Sequence, residues 1–161
     1  DMAPENSKAF EAVTIGADML IPVCAPAMSK AASGTVIPIL TYPSEVFLGQ
    51  VFARMISPRI PMDCTTLSIA ETALSLAMLA LAQSGIGVAW LPNSLVTNHL
   101  AEGKLVRVDD VLPAQALNIK IIRLSEAHTV QSDKTWQELS THLVLSAKVR
   151  PSFLSGANFE G

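Results

Sequence analysis

The stretch GIGVAWLPNSLV, residues 85 to 96, decides how this sequence is read. Two glycines separate an apolar helical run from an apolar strand, and a proline then opens another helix. Gly85 suits the left-handed residue that ends a helix, and Gly87 suits a close approach of backbone to backbone. Ile86 to Leu91 is apolar at almost every position, as expected of a strand covered on both faces. Pro92-Asn93-Ser94 begins a short helix to Ala101, closed by Gly103, and Leu105 to Val108 reads as a further strand. The glycine pair is no dinucleotide loop. Its third glycine is absent, Trp90 stands there, and the glycines precede a strand instead of following one.

Working backward, Ser68 to Glu71 has capping-box spacing, which predicts a helix from Ser68 to about Gln83. Val36 to Thr41 and Met62 to Leu67 read as strands. Ser44 is the expected N-cap of a helix running to about Ile56 and stopping before Pro58. Phe10 to Cys24 reads as two short strands joined by a turn at Gly16-Ala17-Asp18, and Ala25 to Gly34 as a loop or weak helical turn. Working forward, Leu117 to Leu124 is a predicted strand. Gln131 to about Lys148 is a predicted closing helix with Trp136, Leu139 and Leu143 on one face. The glycine-, serine- and asparagine-rich end, Pro151 to Gly161, reads as a disordered tail.

The bulk properties exclude several classes. At 161 residues, 50% hydrophobic and 16% charged, the chain can fill one good core but not two ordinary domains. A net charge of -3 with 11 scattered basic residues lacks the clustered cations of a nucleic-acid surface. Cys24 and Cys64 form no metal or redox motif and read as buried small hydrophobes in a reducing compartment. The run from Leu67 to Pro92 carries one charge, Glu71, yet polar residues and the glycine pair interrupt it, so it reads as a core helix and a strand. His99, His128 and His142 read as surface residues with no orienting carboxylate, and no nucleophile, metal or cofactor motif appears. Met19, Met28, Met55, Met62 and Met78 read as gap-fillers, with oxidant sensing the alternative.

Alternating strands and helices predict a mostly parallel sheet, whose ligands bind beyond the C-terminal strand ends. Three junctions fit: Tyr42-Pro43-Ser44, Thr66-Leu67-Ser68 and Trp90-Leu91-Pro92-Asn93. Free amides and serine hydroxyls there favour a small anion, although capping alone accounts for any one of them.

IPVCAP (21 to 26), PILTYPSEVFLGQVF (38 to 52) and above all GIGVAWLPNSLVTNHLAEGKLVRV (85 to 108) resemble the effector-binding domain of LysR-type transcriptional regulators over residues 10 to 148. The resemblance implies an α/β, type 2 periplasmic-binding-protein-like fold, with two Rossmann-like lobes joined by crossover strands and a small effector held between them. It implies that the first lobe is incomplete here and that the winged helix-turn-helix is missing. The expected division is 1–24 for the end of lobe I and a crossover, 25–108 for lobe II, 109–148 for the return to lobe I, and 149–161 for the tail. Carried over residue by residue, the effector contacts are Tyr42, Ser44, Thr66, Ser68, Val88, Trp90 and Leu91. The implied protein is a cytoplasmic, non-enzymatic homodimer or tetramer that meets DNA only through the missing part and has no membrane role. In the resembling family the helix from Ser44 to Ile56 and the strand after it pair two such domains. A periplasmic solute-binding protein and a hypochlorite-sensor-like regulator are the competing readings.

Overall fold

A computed structural model describes residues 10–125 and 130–148. The chain divides into two compact units, residues 19–116 and residues 1–18 with 117–161.

The larger unit is built on one sheet. Strand β2 (Val36–Thr41) pairs in parallel with β3 (Thr65–Glu71) on one side. On the other it meets the approach to β4 (Ala89–Pro92): Leu40 N–H donates to the Val88 carbonyl and Val88 N–H to the Pro38 carbonyl, both at 2.8 Å. Strand β4 runs antiparallel to the end of β1 (Phe10–Cys24), with Leu20 opposite Pro92 and Val23 opposite Ala89. The short β5 (Val106–Arg107) lies antiparallel along the far edge of β1. The spatial order is therefore β3-β2-β4-β1-β5.

Helix α1 (Ser29–Ala32) follows a 3-10 turn at Pro26–Met28. Helix α2 (Phe47–Val51) widens into a π-helical turn at Phe52–Ile56 and tightens into a 3-10 turn at Ser57–Arg59. Pro58 thus lies inside the last turn, where its missing N–H costs nothing. Helices α3 (Ser75–Gln83) and α4 (Asn93–Ala101) complete the unit. Both are followed by left-handed glycines, Gly85 at φ 73° and Gly103 at φ 68°, as the sequence predicts. A methyl group on Gly87 would stand 3.0 Å from the Pro38 carbonyl oxygen, so this glycine lets β2 and the start of β4 pair. Gly49 is tighter still. A methyl group there would stand 2.0 Å from the Pro43 oxygen.

Two expectations are corrected. Phe10–Cys24 is one continuous strand, because β6 (Gln115–Leu124) and β4 pair with β1 and tertiary pairing overrides the local turn signal at Gly16-Ala17-Asp18. The residues Ser68 to Glu71 do not open a helix; they extend β3. Met62 lies in a turn closed by Cys64 N–H on the Pro61 carbonyl at 3.0 Å, which delays the strand to Thr65. Ser68 then zips against β2, opposite Ile39, and a bulge at Ile69 keeps the ladder going to Glu71. The turn into α3 is made by Thr72, whose hydroxyl accepts the Leu74 N–H at 3.2 Å.

The core of this unit is apolar throughout. Leu20, Ile21, Ile37, Leu40, Ile56, Met78, Leu91, Leu105 and Leu112 are all at most 2% exposed, and no polar or charged side chain among the described residues is buried.

In the smaller unit, the first part of β1, strand β6 and helix α5 (Val130–Lys148) meet around Arg123. Its guanidinium donates to Glu11 at 2.6 Å and to Asp133 at 2.8 Å, and stacks 5.0 Å from the centre of the Trp136 ring. Trp136 Nε1–H donates to Glu11 at 3.0 Å. The tail at 151–161 lies outside the described residues.

Candidate functional site

The C-terminal ends of β2 and β3 bring several predicted residues together. Thr41 closes β2, and its hydroxyl lies 2.8 Å from that of Ser68 on β3. Either can donate. Thr41 also donates to the Ala70 carbonyl at 3.4 Å. Tyr42, the next residue, turns its ring into the core and is 6% exposed. Its hydroxyl reaches Ser75, the first residue of α3, at 3.4 Å. Burial pushes the Tyr42 phenol above its ordinary range, and the Ser75 hydrogen bond offsets this only in part. At neutral pH the phenol is a neutral donor. Thr66 is half-buried on β3 opposite Ile37.

The capping roles are corrected. Ser44 is exposed in the turn before α2, and Val46 occupies the N-cap position without a side-chain hydrogen bond. Leu74, at the start of α3, also makes no side-chain cap, and neither does Pro92 at the start of α4. Ser68, in mid-strand, caps nothing. The amides at the start of α3 therefore lie beside the Ser75 hydroxyl without a capping side chain of their own.

The Trp90 end of the site is of a different kind. Val88 and Leu91 are fully buried, and Trp90 is 1% exposed. The indole N–H donates to the Pro113 carbonyl at 2.8 Å, and Phe52 meets its ring edge-on with centroids 4.9 Å apart. None of the three side chains Val88, Trp90 and Leu91 is open to solvent. A residue the sequence reading passed over, Ser75, meets the Tyr42 hydroxyl at the start of α3; a helix from Ser68 would have placed it two turns deep instead of at the first turn.

His99 is half-buried and is no simple surface residue: its Nδ1 lies 2.9 Å from Gln83 Nε2, tying α4 to α3. His142 is exposed, and His128 lies outside the described residues. The Cys24 thiol is buried and pushed up by desolvation. Cys64 is raised as well, first by desolvation and then by the Asp63 carboxylate beside it. Among the described residues no group of three or more histidines, cysteines or carboxylates could hold a metal ion. No described helix is long and apolar enough to cross a membrane.

The profile of the LysR substrate binding domain matches residues 2–143. The chain belongs to the LysR substrate-binding domain family. It is 26% identical over 145 residues to the HTH-type transcriptional regulator YjiE of Escherichia coli K12, an alignment covering 85% of this chain and 46% of that protein. It is equally similar to the HTH domain-truncated transcriptional regulator QseD of Escherichia coli O157:H7, covering 85% of this chain and 58% of the relative. The chain thus spans about half the length of these relatives. Among solved structures, the apo regulatory domain of HypT from Salmonella typhimurium superposes with a TM-score of 0.76 at 18% identity, over 89% of this chain and 70% of that domain. The fold is accordingly the α/β, type 2 periplasmic-binding-protein-like fold of LysR regulatory domains.

Proposed function

We propose that this LysR effector-binding domain takes a small anionic effector at the C-terminal ends of β2 and β3, and that the longer protein carrying it uses that effector to regulate transcription. The observation that supports the site is the Thr41–Ser68 hydroxyl pair where β2 ends, with Tyr42, the next residue, bonded to Ser75 at the uncapped start of α3. Hydroxyls donate without carrying charge, and helix-start amides favour a carboxylate. Tyr42 adds a neutral phenol donor, whereas Thr66, near the start of β3 and opposite Ile37, stands apart from the group. Ser44 borders it from the turn before α2. Val88, Trp90 and Leu91 contribute as buried apolar core.

Regulation then requires linkage: effector and operator must change each other's affinity by the same factor. DNA contact is assigned to a part outside this chain, whose own net charge of -3 and dispersed basic residues are unsuited to phosphate binding. The same reading makes the working protein a cytoplasmic homodimer or tetramer. Its support is Phe47, a large apolar side chain left exposed on α2. The solute-binding reading shares the fold, but the relatives named above are transcriptional regulators. Thiol-based oxidant sensing is disfavoured at Cys24, whose side chain is fully buried.

The test is a melting-temperature screen of the chain against small mono- and dicarboxylates and matched primary amines. A carboxylate should raise Tm, and Ser68→Ala should weaken that carboxylate roughly tenfold, as expected for a lost hydrogen bond to a charged group. Stabilisation by amines alone would overturn the anionic assignment.

A further inference from the structure

Residues Pro113 to Gln115 are where the chain leaves the larger unit, whose last residue is Ala116. Two side chains grip this segment. Trp90 donates its indole N–H to the Pro113 carbonyl at 2.8 Å. Proline has no N–H, so that carbonyl is the whole of its backbone hydrogen-bonding capacity. Arg59 donates through Nη2 to the Ala114 carbonyl at 3.0 Å and to the Gln115 side-chain oxygen at 2.8 Å. A planar guanidinium can serve several oxygens at once, which an ammonium cannot match in fixed geometry.

Both grips are seated on one irregular element. Phe52, which opens the π-helical turn, packs edge-on against Trp90. Met55, in the same turn, offers its carbonyl to Arg59 Nε. Ile56 anchors the turn in the core at 0% exposure. Such wide turns are rare and interrupt the regular ladder of a helix, so a small change in winding moves the residues on either side of them. The contact made by Trp90 is deep and fixed, whereas Arg59 is exposed and its bonds compete with water.

We propose that Arg59 and Trp90 form a two-point latch on Pro113–Gln115, and that the winding of Phe52–Ile56 determines whether it is closed. A load on the outer side of α2 would rewind the turn, withdraw Arg59 and free the first residues of β6. The latch is a conformational device separate from the hydroxyl group at the strand ends, and it stands whether or not the effector reading does.

Hydrogen–deuterium exchange on the full 161-residue chain tests it. Arg59→Gln should speed exchange at the amides of Ala114 to Leu117, and with them those of Phe52 to Arg59, by roughly tenfold or more, because it removes both hydrogen bonds that Arg59 gives the segment. Amides of Leu20 to Val23 and of Ala89 to Leu91 should be unchanged. Arg59→Lys, which keeps the charge but not the fork, should fall in between. Trp90→Phe should loosen the same segment, and combining it with Arg59→Gln should add little, because one open latch cannot open twice. Exchange at 114–117 unmoved by Arg59→Gln overturns the proposal. So do a rise spread through the whole unit and strictly additive single effects. If Trp90→Phe fails to fold, the Arg59→Gln and Arg59→Lys pair still decides between these results.

Discussion

The two units of the chain are held together by different physics. Every buried hydrophobic side chain lies between Leu20 and Leu112, in the larger unit; the described residues of the smaller one include none. There, order rests on a surface node in which Arg123 joins β6 to Glu11 on β1 and to Asp133 on α5, under the ring of Trp136. Ile122 and Leu124 remain more than half exposed. A core excludes water in proportion to area, while a charged node at the surface exchanges protein partners for water at nearly equal free energy. The difference teaches that sharing one long strand does not give two parts of a chain equal stability.

The strongest way to break this contrast is to empty the filled core. Leu91→Ala removes a fully buried side chain from the cluster that includes Ile21, Leu40 and Met78, and should cost about 2–5 kcal/mol. Chemical denaturation followed by far-UV circular dichroism reads the loss; a change below 1 kcal/mol, on the order of a surface substitution, would mean that the core does not govern stability. Arg123→Ala should come next. It severs two ion pairs and a ring contact at a partly exposed position, so its cost should fall well short of that of Leu91→Ala. Exchange should quicken in β6 and α5 only, and equal quickening in β2 and β4 would show that the units unfold together. The smallest effect sharpens the picture at the strand ends: Ser68→Ala, free of any capping duty, should shift stability by less than about 0.5 kcal/mol in the absence of effector. A loss of about 1 kcal/mol or more would restore a structural role to that hydroxyl.

Much of the larger unit was legible in the sequence because the deciding signals there are local. Gly85 and Gly103 are the left-handed ends of α3 and α4, and β2 occupies the predicted residues Val36–Thr41. The capping-box reading at Ser68 failed because the same residues can satisfy their backbone groups in a ladder, and β2 lies beside them. That error hid Ser75. Gly16-Ala17-Asp18 misled for a related reason: a turn signal yields when neighbouring strands pair with the segment that carries it. Of the three expected strand-to-helix junctions, Thr66-Leu67-Ser68 lies inside β3, and the inward direction of Trp90 and Leu91 was not foreseen. A strand apolar on both faces does not announce which side chains reach a surface.

The placement of β1 also has a consequence for how the protein is made. Its residues are made well before those they pair with: Leu20 finds its partner only at Pro92 and Val23 only at Ala89 and Arg107. At a synthesis rate of roughly 5–20 residues per second, the apolar segment MLIPVC waits several seconds for the strands that flank it. Such long-range pairing is slow to nucleate, because loop closure must be met before the contacts form. During that interval the middle of the sheet is an unclaimed, sticky edge on a growing chain. The strand that organises the finished molecule is therefore its greatest exposure to misassembly at birth, and the one a nascent-chain chaperone would have most reason to shield.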